Sequence, residues 1–128
     1  MITGSSYLVG TPVRKVFACR GANVITATEE FSSATSRGDF LVCATGRSRF
    51  FRAEHVKTGA VVFDVGICVD SEGKVTGDVD AEDVLPKVSM LSPVPGGLGP
   101  LTVAFMVRNL YHSFLRTHGL EQSRFRIQ

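Results

Sequence analysis

The sequence has 128 residues, of which 44% are hydrophobic and 20% charged, and this length and composition fit one globular domain and exclude a disordered chain. Fourteen Lys and Arg residues against 12 Asp and Glu residues leave a net charge of +2, which is too small to predict nucleic-acid binding. No apolar run approaches the roughly 20 residues that a membrane helix needs, and the N-terminus lacks the pattern of a secretory signal.

The first part of the chain predicts a strand followed by a helix. Met1–Thr3 has the character of a strand cut short by the start of the chain, so we expect a fragment or truncated product of a longer protein. The first helix is predicted by apolar residues at helical spacing, with a proline near its first turn and a glycine just past its end: Val9, Pro12, Val13, Val16, Phe17 and Gly21.

Three apolar runs have the length of strands and the continuous hydrophobicity that is typical of strands buried on both faces of a parallel sheet. These runs are Asn23–Ala27, Phe40–Ala44 and Ala60–Val65. Short helices are predicted at Ala53–Val56 and Ala81–Leu85, and Pro86 ends the second of them.

The second half of the chain adds an arm, a shaped loop and a long helix. Ile67–Gly77 predicts a β-hairpin with Ser71-Glu72-Gly73 at its turn, and such an arm can project and contact another subunit. A short strand, Val88–Leu91, leads into the proline- and glycine-rich loop Ser92–Pro100. Apolar residues at helical spacing predict the final helix: Val103, Met106, Val107, Leu110 and Phe114.

The alternation of strands and helices predicts an α/β fold: a Rossmann-like parallel sheet flanked by helices, with a projecting β-hairpin arm. We expect one domain over residues 1–118 and a basic C-terminal tail over residues 119–128, which carries Arg124 and Arg126. Ligands of open α/β sheets bind beyond the carboxyl ends of the strands, so the residues that follow each strand are the candidates for a site.

The turn after the first strand is a candidate anion-binding turn. Gly4 permits a tight turn, and the hydroxyls of Ser5 and Ser6 can contact phosphate oxygens. The spacing is not GxGxxG, and an ordinary turn with a serine cap is the alternative. After the second strand, Glu29 stands where a Rossmann domain binds the ribose hydroxyls of NAD; alternatively, Glu29 and Glu30 open a short helix.

Glycines also stand at the carboxyl ends of the next two strands, in Thr45-Gly46-Arg47 and in Asp64-Val65-Gly66-Ile67. Asp64 lies within an apolar run and must be paired or lie near the surface edge, because a lone buried carboxylate is costly; a helix- or turn-capping role is the alternative. The sequence leaves open whether the basic cluster in the middle of the chain is a solvated surface or contacts phosphate: Arg47, Arg49 and Arg52.

The cysteines and histidines form no recognisable site. Cys19, Cys43 and Cys68 contain no CxxC pair, which is typical of a reducing compartment, most simply the cytoplasm. The three histidines are scattered, so we predict no metal site. The sequence has no GxSxG, no GxxxxGK[ST] and no recognisable nucleophile constellation, so we predict no catalytic residue in this chain.

Taken together, these loops resemble the cofactor-binding, C-terminal domain of the methylenetetrahydrofolate dehydrogenase/methenyltetrahydrofolate cyclohydrolase family. The similarity runs from Ile2 to about Phe114. It is strongest in Lys57–Ile67 (KTGAVVFDVGI), Gly77–Asp80 (GDVD) and Ser92–Thr102 (SPVPGGLGPLT).

The resemblance implies a nicotinamide dinucleotide, NADP or NAD, as cofactor. Its contacts would fall on Gly4, Ser5, Ser6, Ile67 and Thr102, and the crevice where the nicotinamide meets the folate would be lined by two further residues: Gly96 and Gly97. Ser5 stands where the family usually has the arginine that pairs with the 2′-phosphate of NADP, so Ser5 and Glu29 favour NAD.

The resemblance also implies a function in one-carbon folate metabolism. Hydride would pass from 5,10-methylenetetrahydrofolate to the dinucleotide, and the protein would supply placement. The family's catalytic lysine lies in a preceding folate-binding domain with a Tyr-x-x-x-Lys motif, which this chain lacks, so we expect the chain alone to be inactive.

Family members are dimers through this domain, so a homodimer is expected, with no nucleic-acid or membrane partner. The first alternative is a degenerate, non-catalytic nucleotide-binding or interaction module of the same fold. The nucleotide-binding domain of another dehydrogenase class is a further alternative, against which the Ser92–Pro100 loop argues.

Overall fold

The computed structural model describes residues 1–3, 9–27 and 34–120. Its chain forms two compact units, Met1–Leu98 and Gly99–Gln128. Among its described residues, the first unit contains β1 (Ile2–Thr3), α1 (Gly10–Cys19), β2 (Thr26–Ala27), β3 (Phe40–Cys43), a 3-10 turn (Ala53–His55), β4 (Val61–Asp64), β5 (Cys68–Val69), β6 (Val75–Thr76), α2 (Ala81–Val84) and β7 (Met90–Ser92). The second unit contains α3 (Gly99–Thr117).

Five of the strands form one parallel sheet in the order β2-β1-β3-β4-β7. Ile2 of β1 lies opposite Thr26 of β2 on one side and Val42 of β3 on the other. The chain therefore leaves β1 toward β2 and later returns to the opposite side of β1, which puts the topological switch point between β1 and β3. The predicted α/β, Rossmann-like parallel sheet is confirmed.

The two central strands carry much of the core. In β3, Leu41, Val42 and Cys43 are all buried, as the continuous apolar run predicts. In β4 the burial alternates: Val62 and Asp64 are buried, whereas Val61 and Phe63 are half-buried. The prediction of burial on both faces is thus right for Leu41–Cys43 of β3, where Phe40 is 51% exposed, and only partly right for β4. It is wrong for β2, in which Thr26 is exposed and Ala27 is buried.

The predicted helix and strand ends agree with the structure to within a few residues. Helix α1 contains Pro12 in its first turn, and Gly21 follows its end with a positive φ of 83°. The run Asn23–Ala27 forms a shorter strand than predicted, since only Thr26–Ala27 pairs with β1, at the edge of the sheet.

A core aromatic residue that the periodicity did not indicate lies between β3 and β4. Phe51 is fully buried and forms a parallel bridge with Val79. Its N–H donates to the carbonyl oxygen of Asp78 at 2.9 Å, and its own carbonyl accepts from the N–H of Asp80 at 2.9 Å. The segment after β3 is therefore fixed to the chain that returns from the arm.

The predicted β-hairpin is confirmed as an antiparallel pair of β5 and β6, in which Cys68 lies opposite Thr76 and Val69 opposite Val75. Its turn ends at Gly73, whose φ is 78°. The carboxylate of Asp70 closes the turn by accepting hydrogen bonds from the N–H groups of the second and fourth residues after it. We call this hairpin, residues 67–77, the arm.

The second unit contains the predicted final helix. Pro100 lies in the first turn of α3, and Gly119 follows the helix with a φ of 64°. No residue of α3 is buried, and the apolar side chains that predicted the helix are exposed. Within the described residues, no helix combines the length and the apolar character that a membrane span requires. Residues 121–128, most of the predicted tail, lie outside the described residues.

The three cysteines differ sharply in exposure, and this predicts an order of chemical modification. Cys19 is exposed, Cys68 is intermediate and Cys43 is buried. Burial raises the pKa of the Cys43 thiol well above its usual value, and the nearby Asp64 and Asp78 raise it further. Because the thiolate is the reactive form, we expect iodoacetamide to modify Cys19 in the folded chain and to spare Cys43.

Peptide mass mapping after a short alkylation, with and without urea, checks this order. Cys43 should become modified only in the unfolded sample. Equal labelling of Cys19 and Cys43 without urea would contradict the burial of β3.

Candidate functional site

The candidate site lies at the carboxyl edge of the sheet. Thr3 ends β1, and the five residues after it are outside the described part of the chain. On the other side of the switch point, β3 runs into Ala44–Arg47, and β4 and β7 continue into Val65–Ile67 and Pro93–Leu98. Open α/β sheets bind their ligands at this edge, beside the switch point.

Two glycines leave open space on the backbone at this edge. Gly46, after β3, has a φ of 71°, and Gly96, after β7, has a φ of 96°. A Cβ atom built at either position would meet nothing within 4 Å. The edge therefore exposes bare backbone at two places, which lets a flat ligand approach closely.

The loop after β7 is tightly folded beside this open space. A Cβ atom at Gly97 would overlap the carbonyl oxygen of Pro93 and the hydroxyl of Ser92. The predicted sharp shape of this loop is thus real, and it requires glycine at position 97.

A buried carboxylate holds the loop after β3. Asp78 is fully buried, and its Oδ2 accepts hydrogen bonds from the N–H of Thr45, from the hydroxyl of Thr45 at 2.8 Å and from the N–H of Gly46 at 3.2 Å. Its Oδ1 accepts from the N–H of Arg47 at 3.0 Å. The buried charge is therefore well supplied with donors, as a buried ion requires.

A second buried carboxylate lies beside the first. Oδ1 of Asp64 accepts from the N–H groups of Gly66 and Asp78, each at 3.0 Å, and Oδ2 accepts from the N–H of Val79 at 2.9 Å. Burial raises the pKa of Asp64; these three N–H groups lower it, and the negative charge of Asp78 adds to the rise. The turn-capping alternative for Asp64 is confirmed.

Two glycines make room for these carboxylates. A Cβ atom at Gly66 would overlap the carboxylate of Asp78, and one at Gly77 would overlap the carboxylate of Asp64. We call these four residues, Asp64, Gly66, Gly77 and Asp78, the aspartate clasp. The role of Asp78 was not predicted from the sequence, although the motifs DVG (Asp64–Gly66) and GD (Gly77–Asp78) were the available signal.

The structure brings only part of the predicted cofactor-binding set together. Ile67 follows β4 and is 75% exposed, and the two predicted crevice residues, Gly96 and Gly97, follow the neighbouring strand β7. Thr102 lies in α3, in the second unit. The remaining predicted residues lie outside the described part of the chain: Gly4, Ser5, Ser6 and Glu29.

The basic cluster of the middle of the chain surrounds an aromatic stack. The guanidinium of Arg47 lies 5.3 Å from the ring centroid of Phe50, which stacks on His55 at 5.6 Å. Arg49 has a φ of 50°, and its N–H donates to the carbonyl oxygen of Gly77 at 2.9 Å. Neither contact decides between the solvated-surface and the phosphate-contact alternatives for the cluster, and both stay predictions.

Among the described residues, cavities lie at opposite ends of the strands. One of about 160 Å³ lies between the return of the arm and the loop after β7, and it is lined by Arg49, Lys74 and Pro95 among others. A larger one of about 430 Å³ is lined by Met1 and Phe40, at the amino ends of β1 and β3. Of these two cavities, the smaller one is nearer the carboxyl edge, so size alone does not mark the site.

The described residues supply a surface that can bind a ligand and few side chains that could take part in a reaction. Across residues 1–3, 9–27 and 34–120, no group of three His, Cys, Asp or Glu side chains could hold a metal ion. Each carboxylate oxygen of Asp64 and Asp78 accepts at least one hydrogen bond from a backbone N–H group, and both side chains are buried. What the edge can do is bind and orient a flat ligand.

Comparisons with known proteins give one consistent result. The family described as tetrahydrofolate dehydrogenase/cyclohydrolase, NAD(P)-binding domain, matches residues 1–118. The bifunctional protein FolD of Streptococcus thermophilus is 42% identical over 120 residues, which cover 91% of this chain and 42% of that protein. FolD of Lachnoclostridium phytofermentans is 43% identical over 112 residues, covering 85% and 40%.

Solved structures agree. The bifunctional enzyme FolD from Campylobacter jejuni superposes with a TM-score of 0.81 at 39% identity, over 84% of this chain and 39% of that one. The Trypanosoma brucei enzyme, solved with NADP cofactor and an inhibitor, gives a TM-score of 0.82 at 28% identity, over 91% and 43%. The chain spans about 42% of the length of the curated relatives it matches.

Proposed function

Because the chain belongs to the tetrahydrofolate dehydrogenase/cyclohydrolase family, of which it spans the NAD(P)-binding domain, we propose that it binds a nicotinamide dinucleotide at the carboxyl edge of its sheet. The observation that carries this proposal is the strand order β2-β1-β3-β4-β7, with a glycine-lined edge beside its switch point. The open backbone at Gly46 and Gly96 fits the approach of flat rings.

The proposed binding residues are those that the family resemblance implies. Gly4, Ser5 and Ser6 would meet the phosphates, and Ile67 and Thr102 would contact the nucleotide. The crevice residues Gly96 and Gly97 would lie where the nicotinamide meets the folate; the tight fold of their loop at Gly97 supports a fixed crevice.

In a longer protein this edge would serve a methylenetetrahydrofolate dehydrogenase/cyclohydrolase of one-carbon folate metabolism, in the cytoplasm. When bound, the dinucleotide supplies the acceptor for a hydride from 5,10-methylenetetrahydrofolate. This chain's own residues would bind and orient that acceptor, and a folate-binding domain would supply the catalytic lysine. The chain by itself would bind the dinucleotide without turnover.

The type of dinucleotide is predicted by Ser5 and Glu29. Ser5 lacks the charge that pairs with a 2′-phosphate, and the Glu29 carboxylate would repel that phosphate, so we propose a preference for NAD. Isothermal titration with each dinucleotide should give the lower dissociation constant for NAD. Equal dissociation constants would contradict the roles of both side chains.

The variant Ser5→Arg sharpens this test. A new charge-assisted pair with the 2′-phosphate is worth about 1–3 kcal/mol, so NADP affinity should rise roughly five- to 150-fold while NAD affinity stays the same. Ser71→Arg, at the exposed turn of the arm, is the matched control for added charge. An equal gain in both variants would mean that Ser5 is not at the phosphate.

The same titration tests the second candidate function, a degenerate module of this fold that has lost its cofactor. Ser5 in place of the family's usual arginine is the observation that favours it. Neither heat nor a thermal shift with millimolar NAD and NADP would support that candidate and reject dinucleotide binding.

The arm supports a second part of the proposal, a homodimer. Val69 and Val75 lie opposite one another on it and are 68% and 44% exposed, and Ile67 at its base is 75% exposed. Exposed apolar groups on a projecting hairpin are typical of subunit contacts. Sedimentation velocity should therefore show a dimer.

The variant Val69→Lys should shift that dimer to monomer, because it puts a charge into the contact. Val16→Lys on α1, where the valine is 52% exposed, is the matched control and should leave the dimer intact. A wild-type chain that remains monomeric at high concentration would reject the arm as a subunit contact.

A further inference from the structure

Three consecutive backbone N–H groups converge on one point after β3. Those of Thr45, Gly46 and Arg47 all donate to the carboxylate of Asp78, and the hydroxyl of Thr45 joins them. A run of converging N–H groups in a turn forms a concave anion-binding site, of the kind that holds phosphate in many nucleotide-binding proteins. Here that concavity is filled by a side chain of the same molecule.

The carboxylate of Asp78 has little freedom to leave. The side chain of Asp78 is fully buried, and its backbone N–H donates to the carboxylate of Asp64. Its carboxylate occupies the space where a side chain at Gly66 would begin. A phosphate could reach these N–H groups only by displacing a buried carboxylate from all of its hydrogen bonds. The N–H groups of Thr45–Arg47 are therefore withheld from any ligand at this edge.

The same carboxylate joins two segments that are far apart in sequence. Arg47 and Asp78 are 31 residues apart, and the adjacent chain is fixed by the backbone bonds between Phe51 and both Asp78 and Asp80. The open backbone of Gly46 and the base of the arm at Ile67 thus have their positions set by one buried cluster.

We propose that Asp78 is a positioning residue that fills the anion site of Thr45–Arg47 and so fixes the β3 loop against the arm, leaving the dinucleotide a preformed edge and directing its phosphates elsewhere. This inference rests on the proposed dinucleotide binding. Preforming the edge removes the cost of ordering the loop when ligand binds.

The test is the variant Asp78→Ala with chemical rescue by formate. Removing the carboxylate leaves the anion site vacant and the loop loose, so NAD affinity should fall about tenfold, the order expected for ordering a few residues on binding. Sodium formate should restore much of it, because formate is a free carboxylate small enough for the vacated position. Sodium chloride at equal ionic strength should not.

The matched control is Asp70→Ala. Asp70 also caps a turn with its carboxylate, but at the exposed tip of the arm, and its loss should leave NAD affinity unchanged and give no response to formate. Rescue of Asp78→Ala alone would support the proposal. Unchanged NAD affinity of Asp78→Ala without formate would overturn it.

A second readout separates this inference from the proposed function. The thermal midpoint of Asp78→Ala should rise with formate in the absence of any dinucleotide, and absence of that rise would overturn the filled anion site. If the wild-type chain binds no dinucleotide, the proposed function is wrong, and so is the role of Asp78 in positioning the loop for that ligand. The thermal response to formate still decides whether Asp78 fills an anion site.

The variant Asp78→Asn covers the case in which the alanine variant does not fold. Asparagine keeps the shape but loses the charge and one acceptor oxygen, so the amide proton resonances of residues 45–47 should move upfield and NAD affinity should fall. Resonances and affinity equal to those of the wild-type chain would overturn the proposal.

Discussion

Replacing Gly77 by alanine should destabilise the chain by about 3 kcal/mol or more, on the scale that applies when a buried, hydrogen-bonded charge is displaced. The new Cβ atom would overlap the carboxylate of Asp64. That carboxylate cannot move aside without breaking hydrogen bonds from the N–H groups of Gly66, Asp78 and Val79. Its charge would then be buried without partners.

Urea unfolding followed by circular dichroism measures this change. Gly66→Ala should cost a similar amount, because its Cβ atom would overlap the carboxylate of Asp78. Gly99→Ala is the matched control: its Cβ atom meets nothing within 4 Å and its φ is not positive, so the midpoint should stay or rise slightly. A Gly77→Ala midpoint equal to that of the wild-type chain would contradict the aspartate clasp.

The second large effect is expected at Phe51. The variant Phe51→Ala should lose about 3–5 kcal/mol of unfolding free energy, the usual cost of deleting a buried aromatic ring. Phe51 is fully buried and packs edge-on against Phe50 at 5.1 Å. Since small domains are stable by only about 5–15 kcal/mol, the variant should lose a large share of its stability and unfold at a much lower urea concentration.

Phe50→Ala provides the comparison for this prediction. Phe50 is only half-buried beside the core, so the same substitution should cost distinctly less in the same urea titration. An equal or larger loss at Phe50 would show that the segment after β3 does not insert Phe51 into the core.

Local patterns predicted most of the fold. The apolar runs around Leu41 and Val62 predicted the central strands because a strand between two neighbours reads as a continuous hydrophobic stretch. The proline and glycine at either end of α1 predicted its bounds because they act within one turn. Phe51 was not predicted, since its burial depends on a bridge to Val79, far along the chain.

The candidate site was predictable in outline for the same reason. Glycine at a strand end is a local signal, and Gly46 and Gly66 were recognised from it, whereas Gly96 was named only through the family resemblance. The role of Asp78 depends on N–H groups more than 30 residues earlier, and no local pattern carries that information. The cofactor-binding roles of all the predicted residues stay predictions: Gly4, Ser5, Ser6, Glu29, Ile67, Gly96, Gly97 and Thr102.

The interlocking of the clasp bears on how this edge can be redesigned. Each glycine vacates the volume that the other motif's aspartate fills, so neither motif tolerates exchange on its own. Grafting the arm onto another parallel sheet would require transplanting the end of β4 with it. A substitution in one of these motifs would therefore require a compensating substitution in the other.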